Sequence, residues 1–108
     1  MHAEQDVGAA DDLILAMAKD IVYTHHEKWD GTGYPEGLSG TEIPIPGRLM
    51  ALVDVYDAII TDRVYRRGMS HDDAVAFIVA GRGTHFDPAV VDAFLKVSGV
   101  LRGVTRDA

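Results

Sequence analysis

The chain has 108 residues, 47% of them apolar and 25% charged, with a formal net charge of −7 and no cysteine. These values describe one soluble domain and exclude disulfides and thiolate metal sites, so any metal here must take nitrogen and oxygen ligands. The negative charge argues against a protein that coats a nucleic-acid polymer, and no apolar run approaches the length of a bilayer span. The start, from Met1 to Asp6, is acidic and precedes no pure apolar stretch, unlike a signal peptide, and a cytoplasmic location is expected.

A first helix is predicted over residues 10–26: Leu13, Met17 and Ile21 recur at i, i+4, with Ala10, Ile14 and Ala18 on the adjacent stripe. His25 continues the first stripe and should lie on the core side. Residues 28–46 read as a long loop, because Gly31, Gly33, Pro35, Gly37, Gly40, Pro44 and Pro46 forbid a sustained helix or central strand. Trp29, Tyr34, Leu38 and Ile43 supply anchors, so the loop is expected to be ordered and functional.

The second predicted helix, 47–62, is apolar nearly all round, with Leu49, Val53 and Tyr56 on one stripe and Leu52, Val55 and Ile59 on another. That pattern suits a buried central helix. Ser70, with Asp73 three residues later, opens a third helix running to about Ala80, its apolar face formed by Ala74, Phe77 and Ile78. Asp87-Pro88 reads as cap plus first-turn proline of a fourth helix over 88–97, with Val90, Val91, Phe94 and Leu95 facing the core. The tail from Ser98 to Ala108 is expected to be loose. The expected architecture is all-α, a bundle of about four helices with its core over about 10–97, in a single domain spanning 1–108.

Chemistry concentrates in His25-His26-Glu27-Lys28-Trp29-Asp30-Gly31-Thr32-Gly33-Tyr34-Pro35. Imidazole and carboxylate together suit divalent Zn, Fe, Mn or Ni. Adjacent histidines on an ideal helix point about 100° apart, so His25 and His26 serve two neighbouring ions, or one ion if the helix ends there. Asp54 and Asp57 fall three apart inside an apolar helix, where an unpaired carboxylate is costly. They face a metal, or else a salt bridge to Arg48 or Arg63, or an outward stripe. Arg63, Arg66 and Arg67 cluster directly after that helix and form either a phosphate-binding group or a solvated basic turn. Tyr65 between them is a base-stacking ring or a core residue.

Taken together, these residues resemble the HD-GYP family of HD-superfamily metal-dependent phosphohydrolases. The match runs through His25-His26-Glu27, Asp30-Gly31, Gly33-Tyr34-Pro35, Gly37-Leu38 and Ile43-Pro44. It continues through Arg48, Asp54-Val55-Tyr56-Asp57-Ala58, Asp62-Arg63, Tyr65-Arg66 and Gly83-Thr84-His85-Phe86-Asp87-Pro88. The resemblance implies an all-α fold and a centre of two or three divalent metals, iron or manganese by family habit, with zinc, nickel or an empty site as alternatives here. It also implies hydrolysis of cyclic di-GMP to pGpG or GMP. By motif position His25, His26 and Asp54 match metal ligands, Asp57 a water-orienting residue, and Arg63 and Arg66 the pair that holds the substrate phosphate. Tyr34 lies in the name-giving loop, which the family ties to its substrate site and to contacts with GGDEF-type cyclase domains.

The resemblance covers only the C-terminal, GYP-containing half of such a domain. The family places earlier ligands before the His-His pair. His2 is the one candidate here, and its spacing is off by a few residues. His71-Asp72 is a literal His-Asp in the wrong place and reads as capping and surface sequence. Two functions follow as expectations. One is a part of a cyclic di-GMP phosphodiesterase, weak or inactive alone. The other is an inactive module that binds a GGDEF-type domain or self-associates. Either leaves some of the apolar faces of 10–26 and 47–62 uncovered.

Overall fold

The structure, a computed structural model, describes the backbone of residues 2–107 and the side chains of residues 8–99. Among the described residues it has four helices and no strand: α1 (His2–Thr24), α2 (Ile45–Ile60), α3 (His71–Ala80) and α4 (Pro88–Asp107). The side chain of His2 lies outside the described residues.

The helix starts follow from local chemistry. Ser70 Oγ accepts the backbone N–H of Asp73 at 3.1 Å, satisfying one of the free donors of α3. Asp87 Oδ1 accepts from Ala89 N–H at 2.8 Å and opens α4 in the same way. Helix α4 runs to Asp107 rather than stopping near residue 97, so the loose tail expected from Ser98 is helical backbone instead. No proline follows Lys96 to break the helix, and polar composition alone does not end one.

The core sits between α2, α3 and α4. Leu52 and Tyr56 of α2 meet Ala74 and Ile78 of α3, Phe86 of the connecting turn, and Val91 and Phe94 of α4. Tyr56 packs edge-on to Phe94, with ring centroids 5.4 Å apart. Its hydroxyl hydrogen-bonds Nδ1 of His71 at 2.9 Å. His71 therefore ties α2 to α3 and is not the simple surface residue that its position suggested.

Both apolar helices leave part of their apolar faces uncovered, as a partial domain is expected to. On α1, Leu13 is 63%, Ile14 62% and Met17 45% exposed. On α2 the buried face is Gly47, Ala51, Leu52 and Tyr56, whereas Leu49 and Val53 lie about half exposed at 47% and 50%. Periodicity reports which residues can be buried together, and no described element covers these outer faces. The radius of gyration, 16.2 Å, is correspondingly larger than the roughly 13 Å of a compact chain this long.

Helix α1 approaches α2 where its last residue, Thr24, meets Gly47. A Cβ on Gly47 would collide with the Thr24 side chain, so only glycine permits this crossing. Beside it, the partly buried Arg48 donates through Nε to Ile43 O at 2.7 Å and through Nη1 to Asp87 Oδ2 at 3.1 Å. That pair bridges 39 positions of sequence and locks the end of the loop to the start of α4. Arg48 is thereby unavailable to Asp54 or Asp57.

Candidate metal and phosphate site

Helix α1 ends at Thr24, so His25 and His26 fall just beyond it, free of ideal helical spacing. Their rings lie 3.9 Å apart, tilted by 42°. Nδ1 of His25 sits 2.7 Å from Ile21 O. A carbonyl oxygen only accepts, so Nδ1 carries the proton and the lone pair of Nε2 is free. That lone pair faces Asp54 Oδ2 at 4.0 Å, with the Asp54 side chain 47% exposed.

The donors fit a divalent ion. Imidazole ligands commonly give their second N–H to a backbone carbonyl, which fixes tautomer and ring direction. An ion with ligand distances near 2.0–2.2 Å spans donors up to about 4.2 Å apart. The set is nevertheless partial: among the described residues no three His, Cys, Asp or Glu side chains gather closely enough to hold an ion. Asp57 lies three residues beyond Asp54 and is likewise exposed.

The two carboxylates of the opening motif are used elsewhere. Glu27 is buried, 2% exposed, and takes the N–H of Glu36 on Oε2 at 3.0 Å and that of Leu38 on Oε1 at 3.1 Å. It clamps the glycine-rich loop and takes no part in the ligand group. Asp30 Oδ1 accepts from the hydroxyl and N–H of Thr32, at 2.6 and 3.0 Å, in a local turn. The Thr32 hydroxyl bond, with the backbone bond second, holds the Asp30 carboxyl below its usual range. An Asp-x-Thr turn is a readable local signal. The Glu27 clamp has none, because its partners lie 9 and 11 residues away.

The loop itself packs against its own start. A Cβ on Gly33 would come within 2.4–2.7 Å of backbone atoms of His26, Glu27 and Lys28, which makes glycine obligatory there. Tyr34 N–H donates to His26 O at 3.3 Å, and the Tyr34 ring stacks on the His26 ring with centroids 4.8 Å apart at 18°. Tyr34 is 61% exposed, so it anchors the loop on His26 and not in the core. On the far side, Trp29 and Asp30 donate their N–H groups to His85 O and Thr84 O. Ile43, only 2% exposed, is the loop's anchor in the protein interior.

The arginines do not continue α2. Met69 N–H returns to Ile59 O, while Arg63 and Arg66 pair their backbones across a tight turn. Arg66 Nη2 folds back onto Ala58 O at 3.0 Å, at the carbonyl-rich end of α2, where a cation is favourable. Arg63 and Arg66 are both exposed, and Tyr65 at the tip is 84% exposed, which removes its reading as a core residue. A crevice of about 10 Å³ bordered by Glu27, Trp29, Arg48 and His85 has room for about one water and is far below the roughly 300–1,000 Å³ of ligand pockets.

His85 stacks on Phe86 with centroids 4.2 Å apart at 8°. Burial, followed by the positive charge of Lys28, pushes its imidazole below the ordinary 6.5. The folded state therefore binds a proton less readily than the unfolded chain. Stability from this group is complete above about pH 6.5 and falls as the pH drops from there towards the folded value. Urea midpoints measured from pH 7.5 down to pH 5 should decline, and His85→Gln should flatten that decline; an unchanged slope would rule out the linkage.

Comparison with known proteins finds one family model and several relatives that carry phosphodiesterase names. Residues 3–90 match the model of the HD domain family. A cyclic di-GMP phosphodiesterase of Vibrio cholerae serotype O1 is 62% identical over 95 residues, which cover 88% of this chain and 19% of that protein. A 3′3′-cGAMP-specific phosphodiesterase of the same organism is 42% identical over 83 residues, 77% of this chain and 16% of that one. The chain thus spans about a fifth or less of the length of these relatives. The crystal structure of a cyclic GMP-AMP-specific phosphodiesterase of V. cholerae superposes with a TM-score of 0.60 at 24% identity, covering 76% of this chain and 20% of that chain, and supports the all-α fold. No described helix is long and apolar enough to cross a membrane.

Proposed function

Because the chain belongs to the HD domain family, in its HD-GYP branch, we propose that it forms part of a cytoplasmic metal-dependent phosphodiesterase that hydrolyses cyclic di-GMP to pGpG or GMP. The observation that carries this reading is the approach of His25 Nε2 to Asp54 Oδ2, with Nδ1 of the same ring tied to Ile21 O. Two residues 29 positions apart are thereby brought within the span that one divalent ion can bridge.

In this reading His25, His26 and Asp54 hold the metal, iron or manganese by the family's habit. When bound, the ion lowers the pKa of a water and neutralises charge on the phosphoryl group. Asp57 would orient a water and take its proton. The water oxygen would form a bond to one phosphodiester phosphorus as the bond to the sugar oxygen opposite breaks, that oxygen taking a proton from solvent, which linearises the ring. Arg63 and Arg66 offer guanidinium donors to the phosphate oxygens. For Arg66 this requires release from Ala58 O. Tyr34 presents the ring face that His26 leaves free to the substrate.

With two aimed donors and a neighbouring imidazole, the chain alone should bind metal weakly and turn over little substrate. The test is calorimetric titration of the chain with Mn²⁺ and cyclic di-GMP, together with chromatographic detection of pGpG. Expected are binding of the dinucleotide that needs Mn²⁺ and is reversed by EDTA, and at most slow product formation. Preference for cyclic GMP-AMP over cyclic di-GMP would move the substrate to the second class of relatives. Absence of binding of either ion or dinucleotide at millimolar concentration would overturn the reading. The scarcity of clustered ligands among the described residues favours one alternative, an inactive module that docks a GGDEF-type domain or a second copy through the exposed loop. That alternative predicts a complex indifferent to EDTA and to Asp54→Ala.

A further inference from the structure

The buried Glu27 side chain has no place in the ligand group, yet it is among the most completely enclosed side chains in the molecule. A carboxylate in such a position needs strong partners, and here both oxygens take backbone N–H groups, from Glu36 and Leu38. Those two residues close the loop just after Tyr34. At its other end the loop lies directly on the backbone of residues 26–28, since Gly33 leaves no space even for a Cβ there. Between these two fixed ends stands Tyr34, its N–H on His26 O and its ring stacked on the His26 ring. His25 is oriented by Ile21 O. Tyr34 makes the corresponding contact to the ring of His26.

We propose that Glu27 is a positioning residue: by holding the loop through Glu36 and Leu38 it keeps the Tyr34 ring against His26 and so sets the direction of the His26 imidazole. The consequence for metal binding rests on the proposed reading of His26 as a ligand. The positioning itself does not, and the two are measured separately. A fixed ring loses less freedom on binding an ion, and groups one layer outside a metal typically change its affinity by about 10–100-fold.

The test uses the full chain. Stacking on Tyr34 shifts the His26 ring protons upfield in proton–carbon NMR spectra. Tyr34→Ala should abolish that shift, Tyr34→Phe should keep it because only the ring face is used, and Glu27→Gln should abolish it from a distance. Amide exchange at Glu36 and Leu38 should be slow in the unsubstituted chain and at least about tenfold faster in Glu27→Gln, where an amide group replaces one acceptor. Mn²⁺ affinity should fall about tenfold in Glu27→Gln and in Tyr34→Ala and stay unchanged in Tyr34→Phe.

An unmoved His26 signal in Tyr34→Ala would overturn the proposal. So would fast exchange at Glu36 and Leu38 in the unsubstituted chain, a measurement that decides the clamp even if Glu27→Gln does not fold. If the unsubstituted chain binds no Mn²⁺, the ligand reading of His26 fails, while the ring and exchange measurements still decide the positioning.

Discussion

Phe86→Ala is expected to cost about 3–5 kcal/mol of folding stability, the range for emptying an aromatic site in a packed core. Phe86 is 1% exposed and joins the cluster that α2, α3 and α4 share. Its surroundings have no easy way to collapse. His85 lies flat on its ring, and the Gly81 backbone stands so close that a Cβ there would sit 2.8 Å from Cδ2 and Cε2. The Phe86 backbone is also fixed, its N–H on Gly81 O and its O taking Gly83 N–H. The cavity therefore persists, and a domain whose total stability is about 5–15 kcal/mol loses a large share of it. The drop should appear as a lower urea midpoint with an unchanged slope. Because His85 O and Thr84 O receive the N–H groups of Trp29 and Asp30, the loop amides should exchange faster as well. A loss below about 1 kcal/mol would show that this turn is not part of the cooperative core.

Asp54→Ala should do the opposite: leave stability alone and remove binding. The side chain is 47% exposed and its neighbour His25 stands 4.0 Å away, so the folded state loses little, within about 0.5 kcal/mol. Losing the carboxylate that faces His25 Nε2 should reduce Mn²⁺ affinity by more than about 100-fold, since even groups outside the ligand shell cost 10–100-fold. Metal-dependent binding of cyclic di-GMP should vanish with it. The pair of measurements separates a site from a scaffold. A variant that melts normally and binds Mn²⁺ normally would remove Asp54 from the proposed ligand group. Phe86→Ala serves as the contrasting control, weakened in folding but with His25 and Asp54 intact.

Much of the architecture was legible from one-dimensional pattern. Ser70 before α3 and Asp87-Pro88 before α4 predict helix starts to within a residue, because capping is a matter of neighbouring backbone groups. Ala74, Ile78, Val91 and Phe94 are buried as their spacing predicts, whereas Phe77 and Leu95, expected on the same faces, are exposed. Uncovered apolar faces on the first two helices were expected of a partial domain, but which residues they expose was not legible: Leu13, Met17, Leu49 and Val53 have core spacing and remain exposed, since burial needs an opposing surface that the stripe itself does not specify. A turn closed by the Met69–Ile59 hydrogen bond brings Arg66 back over the end of α2, a fold-back that the position of the arginines after the helix does not specify.

Within the motif itself the division is sharp. Residue types and their order suffice to exclude thiolate ligands, to identify the family, and to nominate His25, His26, Asp54, Asp57, Arg63 and Arg66 as candidates, because the chemistry a side chain can offer is carried by its type. Only the tertiary structure separates His25 from Glu27, two residues apart in one motif. One turns its free nitrogen to Asp54, and the other turns inward to hold Glu36 and Leu38. Direction depends on where α1 ends and on what lies across from it, and both are set by contacts between residues far apart in the chain.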